Sequence, residues 1–102
     1  MKTVLLTKGE AYILFTAVMG ISARNKKDFF LTGQYDLTVK LLKVKKALQV
    51  EMDALEEAKI MVADLFKDTE LVSFELPVFT EEDCKIIISG PDELEAFEKL
   101  VS

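Results

Sequence analysis

The feature that most constrains the fold is residues 36–67, which contain no glycine and no proline. Apolar residues recur there at alternating intervals of four and three, the heptad spacing of a helix that buries one edge. The spacing is interrupted only at Glu51, where the adjacent Met52 can serve instead. One helix over this whole stretch would be roughly 45–50 Å long at 1.5 Å per residue. Its predicted seam consists of Leu37, Leu41, Val44, Leu48, Met52, Leu55, Val62 and Leu65.

The rest of the chain predicts a shorter helix that lies antiparallel to this long one. Thr7 and Glu10 form the Thr-x-x-Glu capping box that begins a helix. That helix is expected to run from Lys8 to Met19 and to end at Gly20. It could cover only about a third to a half of the long seam. The remainder needs either the C-terminal segment or another chain to cover it, and we predict that the chain self-associates through the seam as a homo-oligomer.

A small two- or three-stranded sheet and a C-terminal helix complete the predicted fold. Residues 2–6 have strand-like composition, and alternate residues of 71–76 are apolar, as on a half-buried strand. Residues 84–89 include Ile86-Ile87-Ile88 and are predicted to form a buried strand that contains Cys84. Pro91 in a first helical turn predicts a helix over 92–101. Residues 21–35 are irregular, with Phe29-Phe30-Leu31 folding back onto the core. The sequence therefore predicts one α+β domain spanning residues 1–102.

The residue types present exclude several kinds of chemistry. The chain has no histidine and one cysteine, Cys84, which removes histidine-based triads, thiolate zinc sites and intramolecular disulfides. No glycine-rich phosphate loop or dinucleotide-binding motif is present. The acidic clusters lack the spacing of a calcium-binding loop. We therefore predict no catalytic residues, no metal and no cofactor, so that the protein is not an enzyme.

Charge is divided unevenly along the chain. Residues 23–50 carry seven basic and two acidic side chains, whereas residues 51–102 carry four basic and fifteen acidic ones. The acidic half argues against nucleic acid as the partner. The segregation also fits an ordinary solvated surface, head-to-tail contacts between copies, or docking of a basic partner. The candidate anion-binding residues are Arg24, Lys26, Lys27, Lys40, Lys43, Lys45 and Lys46, and the candidate acidic docking surface is Glu81, Glu82 and Asp83.

The apolar stretch of residues 11–21 is too short for a bilayer-spanning helix, which needs about 20 apolar residues. A buried core helix is therefore the predicted structure, with no membrane association. The expected location is therefore the cytoplasm.

Four segments of the chain, at residues 6–11, 35–59, 75–77 and 88–100, follow a characteristic order. That order resembles the layout of small accessory proteins encoded by tailed phages and prophages. The resemblance implies a virion-associated or accessory role and carries no catalytic residues with it. It makes a self-associating interaction module in phage assembly, with a host or virion protein as a candidate partner, the first functional prediction. The alternative is a phage inhibitor of a host defence system that uses the acidic surface for docking or the basic segment to sequester an anionic nucleotide.

Overall fold

The computed structural model describes residues 1–24 and 35–101. In chain order it contains β1 (Lys2–Thr7), α1 (Lys8–Arg24), α2 (Tyr35–Glu57), the one-turn helix α3 (Val62–Leu65), β2 (Leu71–Leu76), α4 (Glu81–Ile87), α5 (Pro91–Phe97) and a 3-10 turn (Glu98–Leu100). The predicted α+β class is confirmed, with a long helix, a small antiparallel sheet and a helix near the C-terminus. Residues 29–31 lie outside the described part of the chain.

Helix α1 begins at the predicted capping box. The Thr7 backbone N–H donates to Glu10 Oε1 at 2.9 Å, and the Glu10 N–H donates to Thr7 Oγ1 at 3.1 Å. These bonds satisfy two of the donors that a helix leaves unpaired at its start. The helix continues through Gly20 to Arg24, so the predicted end at Met19 is wrong. Ile21 is fully buried, and its burial offsets the cost of a glycine inside a helix, about 1 kcal/mol.

Strands β1 and β2 pair antiparallel, from Lys2 opposite Leu76 to Thr7 opposite Leu71. The predicted alternation sets which face is buried, because Phe74 and Leu76 are buried while Ser73 and Glu75 between them are exposed. The inner face joins one hydrophobic cluster with α1 and α2. The outer face of this two-stranded sheet contacts solvent.

The prediction of one helix over residues 36–67 is wrong. Helix α2 ends at Glu57, and Lys59 has a positive φ of 54°. The Ile60 N–H donates to the Leu55 carbonyl at 3.2 Å, and the Lys59 N–H donates to the Glu56 carbonyl at 3.0 Å. This pair of bonds is a Schellman motif, which ends a helix with one left-handed residue. Lysine occupies the position where glycine is usual, so the sequence carries no obvious stop.

The predicted self-association seam is also wrong, because the chain covers most of it by itself. Leu37, Leu41, Val44 and Leu48 lie in the hydrophobic core beneath α1 and β2. Leu55 and Leu65 are buried as well, and Met52 is partly buried against the core. Val62 is 47% exposed, since it lies beyond the helix break. The seam therefore offers a partner no continuous apolar edge.

The predicted strand over residues 84–89 is wrong, since residues 84–87 belong to α4. Thr80 and Asp83 form a second capping box: the Asp83 N–H donates to Thr80 Oγ1 at 3.1 Å, and the Thr80 N–H donates to Asp83 Oδ2 at 3.0 Å. Cys84 and Ile87, three residues apart, are buried while Ile86 is half exposed. The helical start signal and this period of three outweigh the strand preference of the isoleucines.

Candidate functional site

An open groove of about 820 Å³ lies between α4 and α5. It combines an apolar floor with a charged rim. The apolar lining is Cys84, Ile88, Pro91, Leu94 and Val101, and the charged lining is Glu81, Lys85, Glu95 and Glu98. We call this set the acidic groove.

Local backbone signals place the two helices that flank the acidic groove. The second capping box begins α4, and Ile88 is extended where that helix ends. Gly90 is extended and Pro91 is the first residue of α5, so only three residues separate the helices. The Ser89 N–H and hydroxyl both donate to Glu93 Oε1, at 3.1 and 3.0 Å. The short connection therefore fixes both sides of the groove relative to each other.

An aromatic pair supports the groove from beneath. The rings of Phe79 and Phe97 are both fully buried and pack edge to face, with centroids 5.1 Å apart. Such pairs are worth about 0.5–1.5 kcal/mol beyond their buried area. The Phe79 N–H donates to the Leu100 carbonyl at 2.8 Å, and Phe79 forms a parallel bridge with Val101. These contacts hold the end of the described chain against the core, which places Val101 in the groove lining.

The rim of the acidic groove has an excess of negative charge. Within residues 1–24 and 35–101, none of Glu81, Glu95 and Glu98 forms an ion pair with a protein cation. Lys85 is the one basic residue among the lining side chains. Burial, followed by the charges of Asp83 and Glu81, raises the pKa of the Cys84 thiol. The neutral thiol therefore belongs to the apolar floor and not to a nucleophilic site.

A smaller cavity of about 410 Å³ lies between α1 and α5. Glu95 and Glu98 line this cavity as well as the acidic groove, so they form a ridge of carboxylates between the two. On the far side, Lys99 Nζ lies 2.9 Å from Glu10 Oε2. The backbone hydrogen bond from Thr7 is the main reason that the pKa of Glu10 is lowered, and the bond from Lys99 adds to it against the effect of burial. Glu10 is thus held in a structural ion pair, whereas Glu95 and Glu98 of the ridge form no ion pair within the described part of the chain.

The predicted acidic docking residues take different roles. Glu81 and Glu82 are exposed at the start of α4, and Glu81 also lines the groove. Asp83 is half-buried, and its Oδ2 accepts from Lys40 Nζ at 2.7 Å. Burial opposes the ionised form of Asp83, but the hydrogen bonds from Lys40 and Thr80 outweigh it and lower the pKa of this carboxyl. Asp83 therefore holds α4 in place and is not free to dock a partner.

The predicted basic residues do not converge on one described site. Lys40 is paired with Asp83 and lies 5.7 Å from the centroid of the Phe79 ring. Lys43 and Lys46 are exposed on α2, and Lys45 is half-buried. Lys26, Lys27 and the Arg24 side chain lie outside the described residues. Anion binding by this set stays a prediction.

Sequence reasoning missed the apolar part of the groove. Leu94 is 52% exposed on α5, and the sequence predicted a C-terminal helix there without indicating that one side of it would line a groove. A signal was present, because Glu98 lies four residues after Leu94, which places a carboxylate next to an apolar side chain on one side of a helix. Their position opposite α4 depends on the tertiary fold.

Comparison with models of known protein families, with curated proteins and with solved structures finds no match for this chain. Among the described residues, no three histidine, cysteine, aspartate or glutamate side chains are arranged to hold a metal ion. In the same residues, no helix has the length and apolar character that crossing a membrane requires.

Proposed function

We propose that the protein is a non-enzymatic interaction module that binds a basic amphipathic segment of another polypeptide in the acidic groove. One observation carries the proposal: an apolar floor, half exposed at Leu94, is bordered by three carboxylates with which no cation of the described chain forms an ion pair. Apolar side chains of a partner helix would cover Leu94 and Ile88. Its lysines or arginines would meet Glu81, Glu95 and Glu98.

The chemistry of the groove supports a polypeptide over other partners. The carboxylates repel nucleic-acid phosphates and other anions. Recognition of an amphipathic helix in a groove uses apolar anchors at helical spacing with complementary charges at the edges. Interface centres are apolar and their rims polar, as in this groove.

The phage setting belongs to the same proposal and is supported by the segment order that the chain shares with phage accessory proteins. Within it, the acidic groove serves either virion assembly or the blocking of a host protein. The acidic docking mode of the anti-defence alternative uses this groove, and the nucleotide-sequestering mode does not. The expected location is therefore still the host cytoplasm or a virion.

A peptide titration tests the proposal. The probe is a synthetic amphipathic helix with leucines at heptad spacing flanked by lysines, and its control has glutamates in place of the lysines. We expect the lysine peptide to shift the amide resonances of residues 81–101 in ¹⁵N-labelled protein, and the control peptide to leave them unchanged. The Leu94→Glu variant should bind at least tenfold more weakly, because a charge then stands on the apolar floor.

Leu71→Glu is the matched control for Leu94→Glu. Leu71 is 54% exposed on β2 and Leu94 is 52% exposed on α5, so both variants place a new charge at a half-exposed leucine, but Leu71 does not line the acidic groove. Equal losses of affinity in the two variants would contradict the proposal, as would resonance shifts spread over the whole protein.

A further inference from the structure

The solvent-facing side of α2 carries both lysines and exposed apolar residues. Leu42, Lys46 and Val50 are four residues apart, so they lie on one side of the helix, and Lys43 lies beside them. Val50 is 74% exposed and Leu42 is 48% exposed. We call Leu42, Lys43, Lys46 and Val50 the outer face of α2. It lies opposite the buried row of Leu41, Val44 and Leu48.

The two lysines of the outer face are available to a partner. Neither Lys43 nor Lys46 forms an ion pair within the described part of the chain. Beyond them on this side lie two exposed acidic residues, Asp53, whose Oδ1 accepts from Gln49 Nε2 at 2.9 Å, and Glu57 at the end of the helix. The outer face therefore combines positive charge with exposed apolar residues, the reverse of the charge in the acidic groove.

The outer face has the chemistry and the length that the acidic groove requires. Leu42 to Val50 spans about 12 Å along a helix, and each of the seven-residue helices that flank the groove is about 10 Å long. Lysines of the outer face would meet Glu95 and Glu98, and Leu42 and Val50 would cover Leu94 and Ile88. No residue belongs to both surfaces, so one copy can use both at once.

We infer that the acidic groove binds the outer face of α2 from a second copy of this chain, so that copies associate head to tail. The inference rests on the proposed function of the groove and names its partner. The segregated charge of the chain, basic over residues 23–50 and acidic over residues 51–102, is the electrostatic complementarity that such a contact uses. Because the two contact surfaces differ, the assembly is heterologous and continues into a ring or a filament.

Sedimentation velocity tests the inference with two kinds of variant. The wild-type chain should form species larger than a dimer as its concentration rises to about 200 µM, well above a dissociation constant in the micromolar range. The outer-face variant Lys43→Glu/Lys46→Glu should be monomeric, and so should the groove variant Leu94→Glu. The control for charge is Lys59→Glu/Lys67→Glu, which changes the net charge by the same amount as the outer-face variant. Its two exposed lysines lie outside both surfaces, so this control should associate like the wild type.

Mixing the two variants gives the decisive measurement. The outer-face variant retains an intact groove, and the groove variant retains an intact outer face. An equimolar mixture should therefore form a 1:1 heterodimer and nothing larger. In that heterodimer the unoccupied groove carries Leu94→Glu and the unoccupied outer face carries Lys43→Glu/Lys46→Glu, so neither surface binds a further copy. A second groove variant, Glu95→Gln/Glu98→Gln, should give the same result, and it serves in place of Leu94→Glu should that variant lose its circular dichroism spectrum.

The outcomes separate this inference from the proposed function. A wild-type chain that is monomeric at every concentration overturns head-to-tail association, while binding of the lysine peptide would leave the groove as a site for a different basic protein. Association that survives both variants, or a mixture that stays monomeric, also overturns the inference. Failure of the lysine peptide to bind would remove the proposed function itself.

Discussion

The helix break at Lys59 divides residues 36–67 into two parts, which have the same apolar spacing but different environments. In the first part, Leu41, Val44 and Leu48 are at most 2% exposed beneath α1 and β2. In the second part, Met61 is 69% exposed and Val62 is 47% exposed, and Leu65 alone of the predicted seam there is buried. A heptad pattern shows which residues of a helix share a side. Whether that side is buried depends on how far the neighbouring elements extend.

The first prediction compares one seam residue from each part. Leu48→Ala should lower the unfolding free energy by about 2–5 kcal/mol, because it leaves a cavity in the core. Val62→Ala should change it by less than about 0.5 kcal/mol, since Val62 is half exposed. Urea denaturation followed by circular dichroism measures both. Similar losses in the two variants would show that the parts are buried alike and would break the comparison.

The second prediction compares one ion pair from each part. Asp83→Asn removes the negative charge that pairs with Lys40 and leaves a neutral amide oxygen as the acceptor in the capping box, so the free energy of unfolding should fall by about 1–2 kcal/mol. Asp64→Asn removes an ion pair with Lys67 in which the two atoms are 3.7 Å apart and both side chains are exposed. The free energy of unfolding should therefore fall by less than about 0.5 kcal/mol.

The pH dependence of the same variants gives the sign of the Asp83 contribution. Because the pKa of Asp83 is lowered in the folded protein, its stabilisation is present above the pKa of an unfolded aspartate, about 3.9, and is lost as the pH falls through the lower folded value. The unfolding free energies of the wild type and Asp83→Asn should therefore converge on acidification below about pH 4. A constant difference down to pH 2 would assign the loss to packing instead of charge.

The third prediction tests the point where the two parts separate. Ala54→Gly should destabilise the protein by about 1 kcal/mol, because Ala54 lies within α2. Lys59→Gly should instead stabilise it by about 0.5–1 kcal/mol, since Lys59 has the left-handed conformation that glycine adopts without strain. Thermal unfolding measures the two opposite shifts. Destabilisation by both variants would indicate a helix that continues through residue 59.

The sequence predicted the elements whose signals are local. The capping box of Thr7 and Glu10 located the start of α1, and the alternation around Phe74 located β2. Local signals failed where a residue takes an unusual role, as Lys59 does in the Schellman motif. Cys84 and its isoleucine neighbours were interpreted by strand preference, although Thr80 and Asp83 had the helical start signal beside them.

The candidate site was less predictable than the fold. Glu81 was identified from the acidic run, but its apolar neighbours Leu94 and Val101 come from later parts of the chain. Asp83 was assigned to docking because its charge is visible in the sequence, while its partner Lys40 is 43 residues away. Contacts over that separation are set by how α2 and α4 pack, which spacing and composition do not specify.

The position of the Lys40–Asp83 pair has a consequence for ionic strength. Its atoms are 2.7 Å apart and partly sheltered, so added salt weakens it little. Charges on the outer face of α2 and on the groove rim are exposed and approach through water, where the Debye length is about 10 Å at 0.1 M salt and about 3 Å at 1 M. Salt should therefore dissociate copies at concentrations that leave α4 attached to α2, which makes assembly reversible without unfolding.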